Sequence, residues 1–408
     1  MSTHDVIVIG AGLAGLNAAH TLSAAGRDVV VLERDERVGG RTRTDVIDGL
    51  QLDHGFQLVN PAYPELQRLG ILHELDLRPF APGMLLSDAQ GITAVGDPRR
   101  VPGWLASTAT ARIGTLAEKV QLAAALVRLL GTGSLTHPVS RPGSVADALI
   151  GAGVPEVAYR KLLRPFLTGV FLDDPAHVPA GYGDFVLRSF FDGAPSLPAR
   201  GIEALPRALA LRLPADVVRT GVTVQGITAG GVDTDHGRFE APHIIVAVDA
   251  PAVAALLPGV GMPETLACTT WYHVMTQAPT DRPAILVDAE ARGPVVNSAP
   301  VSLVAPGYAT GGRTLLASTT LGADNGAEVE AAVRTHLSAM WHSNVSEWQL
   351  VRAHVVHHAL PSLTVGGELH REHKVADGIW LAGDHRETPS QQGALLSGRR
   401  AAQAVLSA

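Results

Sequence analysis

The sequence predicts an α/β fold: a Rossmann-like parallel sheet with an α+β unit interleaved in it. Three observations carry this prediction. The chain opens on a strand–helix–strand unit whose glycines stand where a pyrophosphate needs them. Its far end answers with a short strand, an aspartate and a glycine-containing helix start. Between them, blocks of helical periodicity alternate with blocks of β-type alternation.

The opening unit comes first. Val6–Ile9 is an apolar run suited to a buried parallel strand. Gly10, Gly12 and Gly15 follow in G-x-G-x-x-G order, with Leu13 and Ala14 between them. A helix is predicted over 16–25, ending at Gly26, and Val29–Leu32 is a second strand that runs into Glu33 and Arg34. This is a Rossmann-like βαβ unit. Gly10 allows the tight turn, Gly12 lets backbone approach a pyrophosphate, and Gly15 lets helix and sheet pack closely. The helix start offers free N–H groups and partial positive charge to phosphate. Glu33, about 20 residues on, is placed to accept ribose hydroxyls. Gly39, Gly40 and Arg41 follow, a second backbone approach with a guanidinium that neutralises phosphate through a fork of donors.

Near the other end, residues 378–384 (GIWLAGD) read as a strand entering a turn, and 389–398 (PSQQGALLSG) as a turn feeding a final helix. The Glu33-Arg34 segment, the GGR motif and this GD…GALLSG motif together resemble the FAD-dependent amine oxidase and phytoene desaturase superfamily. The resemblance implies a discontinuous FAD-binding domain of the glutathione-reductase type. It implies that Gly383 and Asp384 bind the ribityl–pyrophosphate part of FAD, and that Gly393 and Ala394 begin a helix aimed at the flavin. It implies that Gly55 and Phe56, in the Asp53-His54-Gly55-Phe56-Gln57 element, pass beside the flavin ring, and that Val224 pairs its backbone with adenine.

Composition bounds the rest. With 408 residues the chain suits two units rather than one. Aromatic residues make up only 4% against 46% hydrophobic, so Ala, Val and Leu must build the core. A net charge of -7 without long runs of one sign argues against a nucleic-acid partner. Cys268 is the only cysteine, which excludes an intramolecular disulfide or a cysteine metal site. It is far along the chain from the C-terminal motif, so FAD is expected to bind noncovalently. A strand that begins almost at Met1, with no membrane-spanning run, points to a cytoplasmic protein. The middle region, rich in Leu, Val and Ala, is expected to cover an apolar site and to allow peripheral contact with a membrane.

Along the chain, 1–75, 195–260 and 365–408 are assigned to the FAD-binding domain, and 76–194 and 261–364 to the substrate domain with its helical cover. Helices are predicted over 112–130, 145–150, 157–170, 201–213 and 327–341. Strands are predicted over 221–227, 238–248, 266–277, 284–288, 314–320 and 351–360. Residues 181–184 and 311–312 read as loops.

Flavin accepts a hydride at N5, so the protein need only position substrate and exclude water. His54 is the one candidate catalytic residue, as base or as a shaper of the flavin pocket. Gln57, His385, Arg386 and Gln391 are candidate substrate contacts. His354 and His358 on a strand stand two pleats apart with no acidic neighbour in sequence, so no metal is expected.

Two departures choose the branch. Many amine oxidases of this fold carry a lysine beside N5, yet residues 162–373 contain none. Residues 388–392 offer no aromatic cage for an amine. The ends look more like the phytoene desaturase and hydroxysqualene dehydroxylase-like branch. The expected activity is therefore oxidation of an apolar, isoprenoid or carotenoid-like substrate. A hydrogen-peroxide-forming amine oxidase and a non-catalytic flavin scaffold are the alternatives.

Overall fold

The computed structural model describes every residue except 1, 98, 132 and 137. A six-stranded sheet runs in the order Val218–Arg219, Val29–Leu32, Val6–Ile9, His243–Val246, Ile379–Leu381 and Lys374–Ala376, parallel except for the last pair. Its strands come from three distant stretches of chain. Val6–Ile9 and Val29–Leu32 are buried throughout, which is why they read as unbroken apolar runs. The helix Leu13–Ala24 packs on this sheet and on the final helix, Gln391–Leu406. Close approach sets both contacts. A Cβ at Gly15 would run into the Gly10 carbonyl oxygen, and one at Gly398 into that of Ala14.

The strand predicted over 238–248 is two strands in two sheets. Gly237–Glu240 lies in a four-stranded sheet with Ser2–Thr3, Gly231–Thr234 and Val224–Thr228, whereas His243–Val246 joins the parallel sheet. Pro242, which has no N–H to give a ladder, lies between them.

A seven-stranded sheet forms the other half of the molecule. Its order is Gln349–Pro361, Thr265–Met275, Thr314–Leu321, Val295–Ala299, Ile285–Asp288, Gly83–Asp88 and Gly91–Gly96. The helix Ala327–Trp341, as predicted, buries Val333, Leu337, Met340 and Trp341 against it. The hairpin Thr44–Ile47/Leu50–Asp53 was not predicted.

The cover is helical, with corrections. The first long helix starts at Leu116 rather than 112, because Thr115 and Glu118 form a reciprocal capping box. Outside the cover, the helix predicted over 201–213 in the FAD-assigned segment shrinks to Ala204–Ala210. The helix over 156–171 contains a π turn, Tyr159–Leu163, closed by the Arg164 amide on the Tyr159 carbonyl just before Pro165, which has no amide. The expected loop at 181–184 is the first turn of the helix Ala180–Asp192. Its glycines serve packing: a Cβ on Gly183 would press into the Val145 side chain. Among the described residues no helix is long and apolar enough to cross a membrane.

Candidate functional site

One cavity of about 790 Å³ is lined by the N-terminal glycine segment, the C-terminal segment, the helical cover and the seven-stranded sheet. At one end the backbone is bare. A Cβ at Gly12 would meet nothing within 4 Å, and one at Gly40 only the Gly12 Cα at 3.5 Å. Glu33 is fixed beside them: its carboxylate accepts from the Ala11 amide (2.7 Å) and the Asp35 amide (3.0 Å). Arg41 donates to Asp384 Oδ1 (2.6 Å) and to the Ala359 carbonyl (2.8 Å). Burial opposes the Arg41 charge, but the Asp384 carboxylate outweighs it and raises the guanidinium pKa. A bare backbone, a helix start and a braced guanidinium fit a pyrophosphate, and so fit FAD.

The 53–57 element is pinned from below. Burial pushes the Asp53 carboxyl pKa up, against hydrogen bonds from Thr44 Oγ1 (2.6 Å), the Tyr308 hydroxyl (2.6 Å) and the Ile202 amide (3.0 Å). The Tyr272 hydroxyl donates to the Asp53 carbonyl (2.9 Å). Gly55 and Phe56 are thereby held in the cavity wall. Gln57 lines it too, but its amide nitrogen donates to the carbonyls of Arg41 (2.8 Å) and His54 (2.9 Å), so it shapes the loop. His54 lines the cavity with its Nε2 3.0 Å from Asp45 Oδ2.

Gly10, Gly12, Leu13, Ala14, Glu33, Arg34, Gly40, Arg41, Val224, Gly383, Asp384, Gln391 and Ala394 also reach the cavity. Gly15, Gly393, His385 and Arg386 do not line it. The Gly393 amide is taken by the Ser390 hydroxyl (2.9 Å), the cap of the final helix, and is not free for a ligand. His385 is buried against Gly383, and burial drives its imidazole pKa down to about 4. Arg386 is buried with Nε and Nη2 unpartnered, away from the cavity wall.

The other end of the cavity was not read from the sequence. Phe166, Tyr182, Phe185, Val186, Ser189 and Phe190 line it from the cover, and Tyr63, Ile285, Asn297 and Thr319 from elsewhere. Five of these fall at 182, 185, 186, 189 and 190, a helical stripe that was legible in principle. The loop reading of 181–184 hid it. Tyr63 and Tyr182 both stack on Phe185, with centroids 6.0 and 6.2 Å away, and the Tyr182 hydroxyl donates to the Pro389 carbonyl (2.5 Å). Residues 388–392 thus lack aromatics of their own but meet Tyr182, brought by the helix Ala180–Asp192. Cys268, distant in sequence, lines the same cavity. Burial raises its thiol pKa to about 11. The strand Thr265–Met275 carries no lysine, as expected. The histidine reading also needs correction. His358 bonds Thr265, while His354 faces His54, and Asp45 supplies the acidic neighbour that the local sequence lacks.

The profile described as "Flavin containing amine oxidoreductase" matches residues 13–406. Putrescine oxidase of Kocuria rosea is 37% identical over 140 residues, 34% of this chain and 28% of that protein. Protoporphyrinogen oxidase 2 of Arabidopsis thaliana is 42% identical over 78 residues, 19% of this chain and 15% of that protein. The matching stretches thus span under a third of these relatives. Among solved structures, a candidate protoporphyrinogen oxidase from Exiguobacterium sp. 255-15 superposes with a TM-score of 0.75 at 20% identity over the whole of both chains. Putrescine oxidase bound to putrescine gives 0.72 at 20% identity, covering 100% of this chain and 99% of that one. These likenesses show a shared fold. With a profile that covers nearly its whole length, the chain belongs to the flavin-containing amine oxidoreductase family, whose members are FAD-dependent oxidoreductases.

Proposed function

We propose that this chain binds FAD noncovalently, in a discontinuous Rossmann-like domain of the glutathione-reductase type, and oxidises a neutral apolar substrate. The observation that carries this reading is the sorting of charge in the cavity. Its charged lining residues are Glu33, Arg34, Asp35, Arg41, Arg43, Asp249 and Asp384, all in the segments assigned to FAD. Among the described residues, the lining from the cover and the seven-stranded sheet is aromatic, aliphatic or uncharged polar. A diamine there would lose its hydration with no carboxylate to replace it, a cost of several kcal/mol per charge. The isoprenoid or carotenoid class rests on the resemblance of both chain ends to the desaturase branch.

Bound FAD supplies the two-electron acceptor. The chain's own residues hold the substrate and exclude water. Asn297 Oδ1, Thr319 Oγ1 and Gln391 Oε1 are buried without partners, and each can accept a hydrogen bond from a substrate hydroxyl. Cys268 stays a protonated thiol at neutral pH, a poor nucleophile, which supports noncovalent FAD. The His54 pairing with Asp45 supports a shaping role. Amine oxidation is the second reading, favoured by the faces of Tyr63 and Tyr182. Peripheral membrane contact would use Leu105, Leu116, Val120 and Val127, exposed on the cover. Anaerobic reduction of the flavin by a panel of carotenoid precursors, squalene derivatives and amines, with reoxidation by oxygen or quinone, separates these readings. A flavin that no substrate bleaches would indicate a scaffold.

A further inference from the structure

We propose that Asp45, His54 and His354 form a binding site for a divalent metal ion of the zinc class beside the cofactor cavity, whose wall His54 joins. The proposal does not depend on the substrate. Three segments build the site. Asp45 lies on the strand Thr44–Ile47, and His54 directly follows its hairpin partner Leu50–Asp53, where the Thr44–Asp53 pairing brings them together. His354 comes from Gln349–Pro361, the edge strand of the seven-stranded sheet. The ligand atoms lie within 4.8 Å of one another. His54 Nε2 is 3.0 Å and His354 Nε2 3.7 Å from the same oxygen, Asp45 Oδ2. Ligands about 2.0–2.2 Å from a tetrahedral zinc stand roughly 3.3–3.5 Å apart. Small side-chain movements would bring the trio to those separations.

The second observation is an unsatisfied atom. His354 is 9% exposed, and its Nε2 is buried with no hydrogen-bond partner. Its ring lies 4.5 Å from that of His54, centroid to centroid, so two imidazoles crowd one carboxylate. A buried ring nitrogen left unbonded is costly, and a cation between the three groups removes that cost. Arg37 Nη2 takes Asp45 Oδ1 at 3.1 Å, orienting the carboxylate so that Oδ2 faces the imidazoles. Asp45 and His54 are part-exposed, leaving a fourth position for water. Ion binding displaces the His54–Asp45 hydrogen bond and ties the N-terminal hairpin to the seven-stranded sheet.

The test is calorimetric titration of chelator-treated, FAD-loaded protein with zinc sulfate alone. Wild type is expected to show one saturable site per chain and a melting temperature that rises with zinc. Loss of a ligand in His354→Ala or Asp45→Asn is expected to weaken binding at least about 100-fold and to abolish that rise. Far-UV circular dichroism and FAD content identify folded variants, and Asp45→Asn carries the test if the buried His354→Ala does not fold. No saturable zinc binding by wild type would overturn the proposal without any variant. So would folded variants that bind zinc as tightly as wild type.

Discussion

The two ends of the cavity are built on opposite principles. The cofactor end is made of backbone and charge: bare glycines, a carboxylate fixed by two amides, and an Arg41–Asp384 pair. The end proposed for substrate is made of side-chain faces, with Tyr63, Tyr182 and Phe185 stacked and, among the described residues, no ionised side chain in its lining. In the proposed function, one end holds FAD through backbone and fixed charge. In the same proposal the other end would recognise shape and lack of charge, features that can vary without altering a fold.

The largest expected effect breaks the cofactor end alone. Gly12→Val puts a side chain where nothing else stands, directly over the bare backbone. The protein should fold but be colourless, as read by flavin absorbance of the purified variant beside its circular dichroism. Next comes Glu33→Arg, which removes the partner of the Ala11 and Asp35 amides. With a charge-assisted hydrogen bond at about 1.5–3 kcal/mol, FAD affinity should fall roughly tenfold or more. Unchanged occupancy in a folded variant would remove Glu33 from that role.

The comparison sharpens if charge is added to the neutral end. Asn297→Asp places a carboxylate on the apolar wall. Putrescine should then perturb the flavin spectrum at about tenfold lower concentration than in wild type. His54→Ala should have a smaller effect, shifting the flavin spectrum with little change in its reduction rate. A loss of about two to four orders of magnitude would mark His54 as a base instead.

Acid should loosen the cofactor end through Glu387, just beyond the Asp384 turn. Burial raises its pKa, but hydrogen bonds from His370 and His373 and the Arg400 charge outweigh that and lower it from 4.5 to about 2. A depressed folded pKa gives stability that is present above pH 4.5 and lost as pH falls toward about 2. Glu387→Gln should flatten that part of the profile, measured by urea unfolding at several acidic pH values.

The cofactor end was legible because its function is written in local backbone. Gly10 to Arg41 is one uninterrupted segment, in which Gly10 and Gly15 make approaches that a side chain would block and Gly12 leaves its backbone bare. The substrate end was not, because its lining is assembled across the fold. Asn297, Thr319 and Tyr63 have no shared local pattern, and Tyr182 meets Pro389 only after the helix Ala180–Asp192 forms. Gly181 and Gly183 misled because glycine signals turns as well as close helix packing. Asp45 and His354 are likewise joined only by the hairpin and the edge strand. Gly393 shows the converse: a motif position whose amide the fold had already used.

Whether the neutral end selects a neutral substrate is tested most directly by mixing the oxidised protein anaerobically with putrescine and, in parallel, with uncharged isoprenoid substrates, while following the flavin absorbance. Bleaching is expected with a neutral isoprenoid and not with the diamine. Rapid bleaching by putrescine, with hydrogen peroxide released when oxygen is admitted, would contradict it.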